Sequence, residues 1–299
     1  MVKSTKTRRR LAVLGLLGPF CALFLFAIVV PIGYAIFDSL TKIQRSGAFG
    51  EGGTNTVFAG AANYASALQD PGFTASIGRV LLFASVQVPV MIALATTLAL
   101  LLDSASARWV RFFRSAYFLP YGVPGVIASI LWGFLYTPGL SPLIGLGQAA
   151  GLHLDFLGAG TILWSIANIV TWQYAGYNML IVVAQLKSID ADLFEAAEID
   201  GANAWQVITR IKIPLIWPAI VLTTVFTIIG TLQLFAEPLV LKALTGSITA
   251  DFTPNMAAYA QAFTSNNNNQ AAAESVLLAA VACVFSFGFL KLVSRRRES

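Results

Sequence analysis

The chain has 299 residues, 57% of them hydrophobic and 11% charged, with a net charge of +5. Soluble domains carry about 25% charged residues, and the mean hydropathy here is +0.74, so a soluble globular protein is excluded. The basic excess is explained below by sidedness across a membrane, which removes any need for a nucleic-acid partner.

In chain order, MVKSTKTRRR forms a basic tail over residues 1–10, and no charge then falls between Arg10 and Asp38. That run exceeds the ~7–15 apolar residues of a signal-peptide core, so it is read as a retained membrane helix over residues 11–37. A bilayer core of ~30 Å needs about 20 apolar helical residues. By the same criterion spans are predicted over 77–102, 117–136, 161–186, 215–236 and 271–292, with Glu274 at the mouth of the last. The third and fourth are divided at the turn residues TPGLSP, 137–142. Residues 38–76, 137–160 and 237–270 are predicted as polar loops, and SNNNNQ (265–270) as a flexible loop tip. The fold class is therefore all-α, with a membrane domain over 11–293 and a tail over 294–299.

Six spans place both termini on one side. Lys3, Lys6 and Arg8–10, then Arg108, Arg111 and Arg114, then Lys187, Arg210 and Lys212, and finally Lys291 and Arg295–297 all fall on that side. Only Lys42, Arg45, Arg79 and Lys242 fall on the other. The positive-inside rule makes both termini cytoplasmic.

The chemistry available is sparse. Cys21 and Cys283 lie inside apolar segments, and His153 stands alone in a loop, which leaves no disulfide framework or metal-ligand spacing. No GxxxxGK[ST], HExxH or GxSxG occurs, so the chain holds no P-loop and no hydrolytic nucleophile. A secondary transporter working alone would want ionisable groups for ion coupling, and the first five spans have none in their interiors.

Between the fourth and fifth spans lies a polar interruption, residues 187–214, containing FEAAEIDGANAWQVITRIKIP. Asp192 with Glu195 is predicted to cap a short helix, and Gly201 to end it in a positive-φ turn. Asn203 with Gln206 then caps a second short helix carrying Ile208 and Ile211, and Pro214 marks the start of the fifth span. On physics alone this helix–turn–helix is either an interfacial anchor or a docking knob for a soluble partner.

Polar side chains also recur at membrane depth. Gln173, Tyr177 and Asn178 lie in the fourth span, and Thr231 and Gln233, beside Phe235, in the fifth. Gln173 and Tyr177, four apart, share a helix face. Each such residue is either interhelical glue or part of a solute path.

The order Glu195-Ala196-Ala197, Asp200-Gly201-Ala202, Ile211 and Pro214 resembles the EAA loop of binding-protein-dependent ABC-transporter permeases. PIGYAIFDSL (31–40), FAGAANYASALQDPGF (58–73), YFLPYGVPGVIASILWGFLYTP (117–138) and GYNMLIVVAQLKSIDADLFEAAEIDGA (176–202) resemble its carbohydrate-uptake branch, the MalF-like and UgpA-like subunits.

That resemblance implies a non-enzymatic permease subunit in a prokaryotic cell membrane. It implies a second permease subunit, two cytoplasmic ATPases that bind the ATP and Mg, and an extracytoplasmic binding protein. Glu195, Ala196, Ala197, Asp200, Gly201, Ile208, Ile211 and Pro214 would couple to the ATPase. Gln173, Tyr177, Asn178, Thr231, Gln233 and Phe235 would line the path of a di- or oligosaccharide, with glycerol-3-phosphate or another polyol derivative as the alternative.

Overall fold

The computed structural model describes residues 2–45, 54–104 and 107–298. Within it the chain divides into two compact units, residues 1–71 with 258–277, and residues 72–257 with 278–299.

In the first unit, α1 (Val2–Phe24), a π-helical turn (Leu25–Val29) and α2 (Val30–Ser39) form one continuous helix. The widened turn lies just before Pro31, whose ring crowds the carbonyl four residues back and which has no N–H to donate. A hairpin follows, β1 (Thr41–Arg45) antiparallel to β2 (Thr54–Phe58) with Thr41 opposite Phe58, then α3 (Ala62–Gln69). The sequence leads one to expect only a polar loop here. The Asn63 amide donates to the Ser39 and Thr41 carbonyls at 2.8 and 2.7 Å, which holds α3 to the root of the hairpin.

The second unit opens with α4 (Pro71–Leu102). Next come α5 (Val110–Phe118), a 3₁₀ turn (Leu119–Gly122) and α6 (Gly125–Tyr136). The chain bends by 99° between the 3₁₀ turn and α6, so the third predicted span is a broken helix and not a straight one. Pro120, Gly122, Pro124 and Gly125 supply the break, since proline has no N–H to donate and glycine's backbone freedom disfavours the helix.

After α7 (Pro142–Ala149), α8 (Ile162–Leu186) runs the length of the unit, followed by α9 (Asp192–Ile199). Then α10 (Ala204–Gln206), a π turn (Val207–Lys212) and α11 (Ile213–Leu232) run on as one helix, so the second short helix expected after Gly201 is the base of the fifth span. This π turn too precedes a proline, Pro214. The unit is completed by α12 (Ala236–Leu241), the first turn of α13 (Pro254–Phe263) and the later part of α14 (Asn268–Glu298), the rest of α13 and the start of α14 belonging to the first unit.

Four helical stretches among the described residues are long and apolar enough to cross a membrane, or five if the bent pair counts as one span. The 25-residue α8 is not in that set because Asn168, Gln173, Asn178 and Gln185 lower its hydropathy.

Two apolar clusters are strung along α8. One gathers Phe83, Met91, Ala128, Ile162, Ile166, Ile169 and Leu241, and the other Ala95, Ala99, Leu102, Met179, Val182, Val183, Leu186 and Ile216. Ala95 and Ala99 are small enough to let α4 approach its neighbours closely. Gly176 marks another close crossing: a Cβ there would overlap the Tyr117 carbonyl group and lie 2.9 Å from the Phe118 nitrogen.

Candidate functional site

The stretch of α8 between the two clusters, Tyr174–Asn178, faces a cavity of about 420 Å³. Its walls come from Met91 of α4, Tyr121 of the 3₁₀ turn, and Val170, Tyr174, Tyr177 and Asn178 of α8. Phe226, Thr227, Gly230 and Thr231 of α11 close another side, with Gln233–Phe235 and Glu237 at the α11–α12 break. The cavity therefore sits between two broken helices. Both breaks leave backbone groups without helical partners, and such backbone is tolerated at membrane depth only where protein or solvated space meets it.

Tyr121 stacks on Tyr177 with ring centroids 4.5 Å apart and 14° between planes, and meets Tyr174 edge-on at 5.8 Å. The three rings thus form one aromatic cluster in the cavity wall, which Thr231 and Gln233 also line. The Asn178 amide donates to the Tyr174 carbonyl at 3.2 Å. Five of the six residues predicted for the path, Tyr177, Asn178, Thr231, Gln233 and Phe235, line this cavity.

The sixth, Gln173, does not. Its Nε2 donates to the Val123 carbonyl at 2.8 Å, where the following Pro124 prevents helical pairing at the break. Gln173 therefore pins the α5–α6 break from behind the wall.

Glu237 is a wall residue that sequence reasoning placed in an outer loop. It is 7% exposed, and its Oε1 lies 3.4 Å from where a Cβ on Gly125 would stand, near the start of α6. A helix N-terminus favours negative charge. Tyr121 was also missed, although the LPYGVP break around it was visible.

A larger groove of about 1010 Å³ runs along α4 and α11 from Leu81 to Phe289. Its lining is mostly aliphatic and aromatic, without the converging polar groups that define a small-molecule site.

The second candidate region is the α8–α11 connection. Gly201 has φ +80°, as the turn requires, and a Cβ there would meet nothing within 4 Å. Asn203 and Gln206 form the predicted capping box, with Gln206 N–H donating to Asn203 Oδ1 at 3.0 Å and Asn203 N–H to Gln206 Oε1 at 2.8 Å. The Asp192 cap does not form: Asp192 is the first residue of α9, and its N–H donates to Asp190 Oδ1 at 3.2 Å. The chain turns one step earlier than expected because Asp190 supplies that acceptor.

No residue of α9 is buried, and only Phe194 and Ala197 are half-buried. Glu195, Ala196, Asp200 and Gly201 are exposed together with Leu193, Ile199 and Trp205, the last two at 86% and 71%. Ile208 and Ile211 are half-buried in the π turn, and Pro214 is exposed. Exposed apolar side chains ringed by carboxylates on a defined turn suit a protein partner. Among the described residues no group of three or more His, Cys, Asp or Glu is placed to hold a metal ion.

Comparisons with known proteins match this architecture. The family model described as "Binding-protein-dependent transport system inner membrane component" matches residues 91–299. The trehalose transport system permease protein SugA of Mycobacterium tuberculosis is 30% identical, over 97% of this chain and 90% of that protein. The lactose transport system permease protein LacF of Rhizobium radiobacter is 34% identical over 60% of this chain and 61% of its own length. A chain of a bacterial ABC transporter that imports the acidic polysaccharide alginate superposes with a TM-score of 0.83, covering 99% of both chains at 21% identity, a likeness of fold alone. The family match over most of the chain, together with a full-length permease relative, makes this chain a member of the binding-protein-dependent inner-membrane transport components, the permease subunits of ABC transporters.

Proposed function

We propose that this chain conducts a neutral sugar of disaccharide size or larger through the cavity between its two broken helices. The observation that carries this reading is the cavity wall itself. Stacked Tyr121 and Tyr177 offer a flat face for a sugar ring, while Asn178, Thr231 and Gln233 converge on the same space. Sugars bind by apolar contact with their ring faces and by hydrogen bonds to their hydroxyls, and this wall supplies groups for both. Permease relatives named for trehalose and lactose support the same class. Glycerol-3-phosphate is the weaker reading, because the cavity lining includes Glu237 and no Lys or Arg. An anion entering it would find no cation among the lining residues to offset its desolvation.

In this reading six spans cross the membrane: α1 with α2, α4, the bent α5–α6 pair, α8, α10 to α12, and α14. Both termini and α9 face the cytoplasm, as the Lys and Arg distribution favours. The α9–Gly201–α10 knob docks on a cytoplasmic ATPase that holds ATP and Mg, since this chain has no phosphate-binding loop. A second permease subunit completes the path, and an extracytoplasmic binding protein delivers the sugar. ATP-driven movement of the knob then rocks the helices to expose the cavity to alternate sides.

The test is uptake by the reconstituted complex, driven by its binding protein, against a panel including trehalose, lactose, maltose and glycerol-3-phosphate. A neutral sugar should be imported, and Tyr177→Ala should cut uptake by roughly tenfold, the loss of about 1.4 kcal/mol of ring contact. Import of glycerol-3-phosphate alone, or unchanged uptake in Tyr177→Ala, would overturn the assignment of this cavity.

A further inference from the structure

Just beyond the inner apolar cluster, the ends of three helices meet around one carboxylate. Asp103, the residue after α4, accepts from Lys187 Nζ at 2.8 Å through Oδ1 and from Lys212 Nζ at 2.6 Å through Oδ2. Lys187 is the C-cap of α8, and Lys212 lies in the π turn at the base of α11.

The two pairs differ in kind. The Asp103 and Lys212 side chains are only 8% and 13% exposed, whereas Lys187 is 61% exposed. An exposed pair contributes little, but removing one partner of a buried pair strands the other charge. Lys212 Nζ also stands 5.1 Å from the centre of the Phe194 ring. Phe194 is one of only two half-buried residues on α9.

A contiguous chain of contacts therefore leads inward. It runs from Phe194 to Lys212, to Asp103 at the end of α4, and through the cluster of Ala99, Leu102, Val183, Leu186 and Ile216 towards the cavity wall at Asn178. The ion pair adds a charged link between the base of α11, against which Phe194 of α9 packs, and the end of α4, beside the apolar packing of α4 on α8 and α11. The carboxylate also sits at a helix C-terminus, where negative charge is unfavourable on its own. Nothing in the local helix would place it there without the two ammonium groups.

We infer that Asp103 and Lys212 are positioning residues for transport, a buried strut that makes α4 follow α9 when the ATPase moves the knob. This rests on the reading of α9 as the ATPase-docking segment. Asp103→Asn and Lys212→Met should leave ATPase docking intact, because neither residue lies on the exposed face of α9. They should raise the ATP hydrolysed per molecule imported by about 2- to 30-fold, the range reported for residues that modulate coupling. Lys187→Ala, at the exposed pair, should change the ratio little.

The experiment uses the complete reconstituted complex and the panel sugar that the wild type imports. A second measurement needs no substrate: spin labels at Ala191→Cys, the N-cap of α9 and outside its docking face, and at Val90→Cys on α4, with Cys21 and Cys283 replaced by Ser. Their separation is read before and after trapping the ATPase with vanadate. With the strut intact the labels move together, and in Asp103→Asn they part on trapping. The charge-reversed chain Asp103→Lys, Lys187→Asp, Lys212→Asp should restore joint movement, since both partners of residue 103 then keep the opposite charge. Unchanged stoichiometry and label separation in Asp103→Asn, with the ATPase still bound, would overturn the strut alone. Failure of the wild-type chain to bind an ATPase would overturn the docking reading and the strut with it.

Discussion

Replacing Gly176 by Ala should damage the membrane bundle more than any other glycine-to-alanine change in α8 or α11. Gly176 faces the main chain of Tyr117 and Phe118 across the α5–α8 crossing, and a Cβ would stand 2.9 Å from Phe118 N and closer still to the Tyr117 carbonyl. An ordinary Cβ contact lies at 3.4–4 Å, so the two backbones must separate by more than an ångström to clear the Tyr117 carbonyl oxygen. Side chains can rotate away from an added methyl, but these backbone atoms cannot. The cost therefore falls near the top of the ~1–3 kcal/mol expected for overpacking.

The crossing lies one residue from Tyr177, so separation should also disturb the Tyr121–Tyr177 stack. The assay is thermal loss of the monodisperse detergent-solubilised chain, with Gly78→Ala as control. Gly78 lies in α4 with nothing within 4 Å of its added Cβ, where Ala should gain up to about 1 kcal/mol of helix propensity. Equal stability of Gly176→Ala and the wild type would refute the close crossing.

Two further expectations follow from the α8–α11 connection. Gly201→Ala places a side chain at φ +80° and should cost roughly 1–2 kcal/mol, read as weaker ATPase co-purification with normal insertion. Gly201→Asn should cost less, because Asn tolerates that region, and equal effects of the two would refute a conformational origin. At Asp103, burial works to raise the carboxyl pKa, but hydrogen bonds from Lys187 and Lys212 and their charges outweigh it and hold it below the ordinary 3.8. A depressed native pKa stabilises above the ordinary value and is lost as pH falls through the native one. The thermal-stability gap between wild type and Asp103→Asn should therefore stay flat from about pH 8 to about pH 5 and close only in stronger acid. A gap that closes within that flat range would count against the ion pairs.

Much of this was legible because it is local. The apolar runs, the Asn203–Gln206 box and the positive-φ turn at Gly201 depend on residues within a few positions of one another. What escaped depends on distance in sequence. Gln173 lies on the same helix face as Tyr177, as its spacing says, yet it is committed to Val123, 50 residues away. Asp103 reads as an ordinary loop charge until Lys212, 109 residues later, folds onto it. Glu237 was assigned to a loop because hydropathy counting ends a span at the first charge. The chain in fact breaks at Gln233–Phe235 without a proline or glycine and starts a new helix that returns Glu237 to the cavity.

The two breaks also explain why a cavity exists in this part of an otherwise apolar bundle. An unbroken helix pairs its own N–H and C=O groups and presents only side chains to its neighbours, so two such helices pack without polar space between them. At Leu119–Pro124 and Gln233–Phe235 that self-sufficiency is lost. Gln173 takes one carbonyl at the first break and Asn255 takes the Gln233 carbonyl at the second, at 2.8 Å each. Those two bonds hold the breaks open in a fixed shape, and Tyr121, Gln233 and Glu237 are carried on the segments so exposed. The cavity wall is in this sense a consequence of broken helices stabilised from behind. Gln173 and Asn255 should therefore matter to the shape of the cavity although neither lines it.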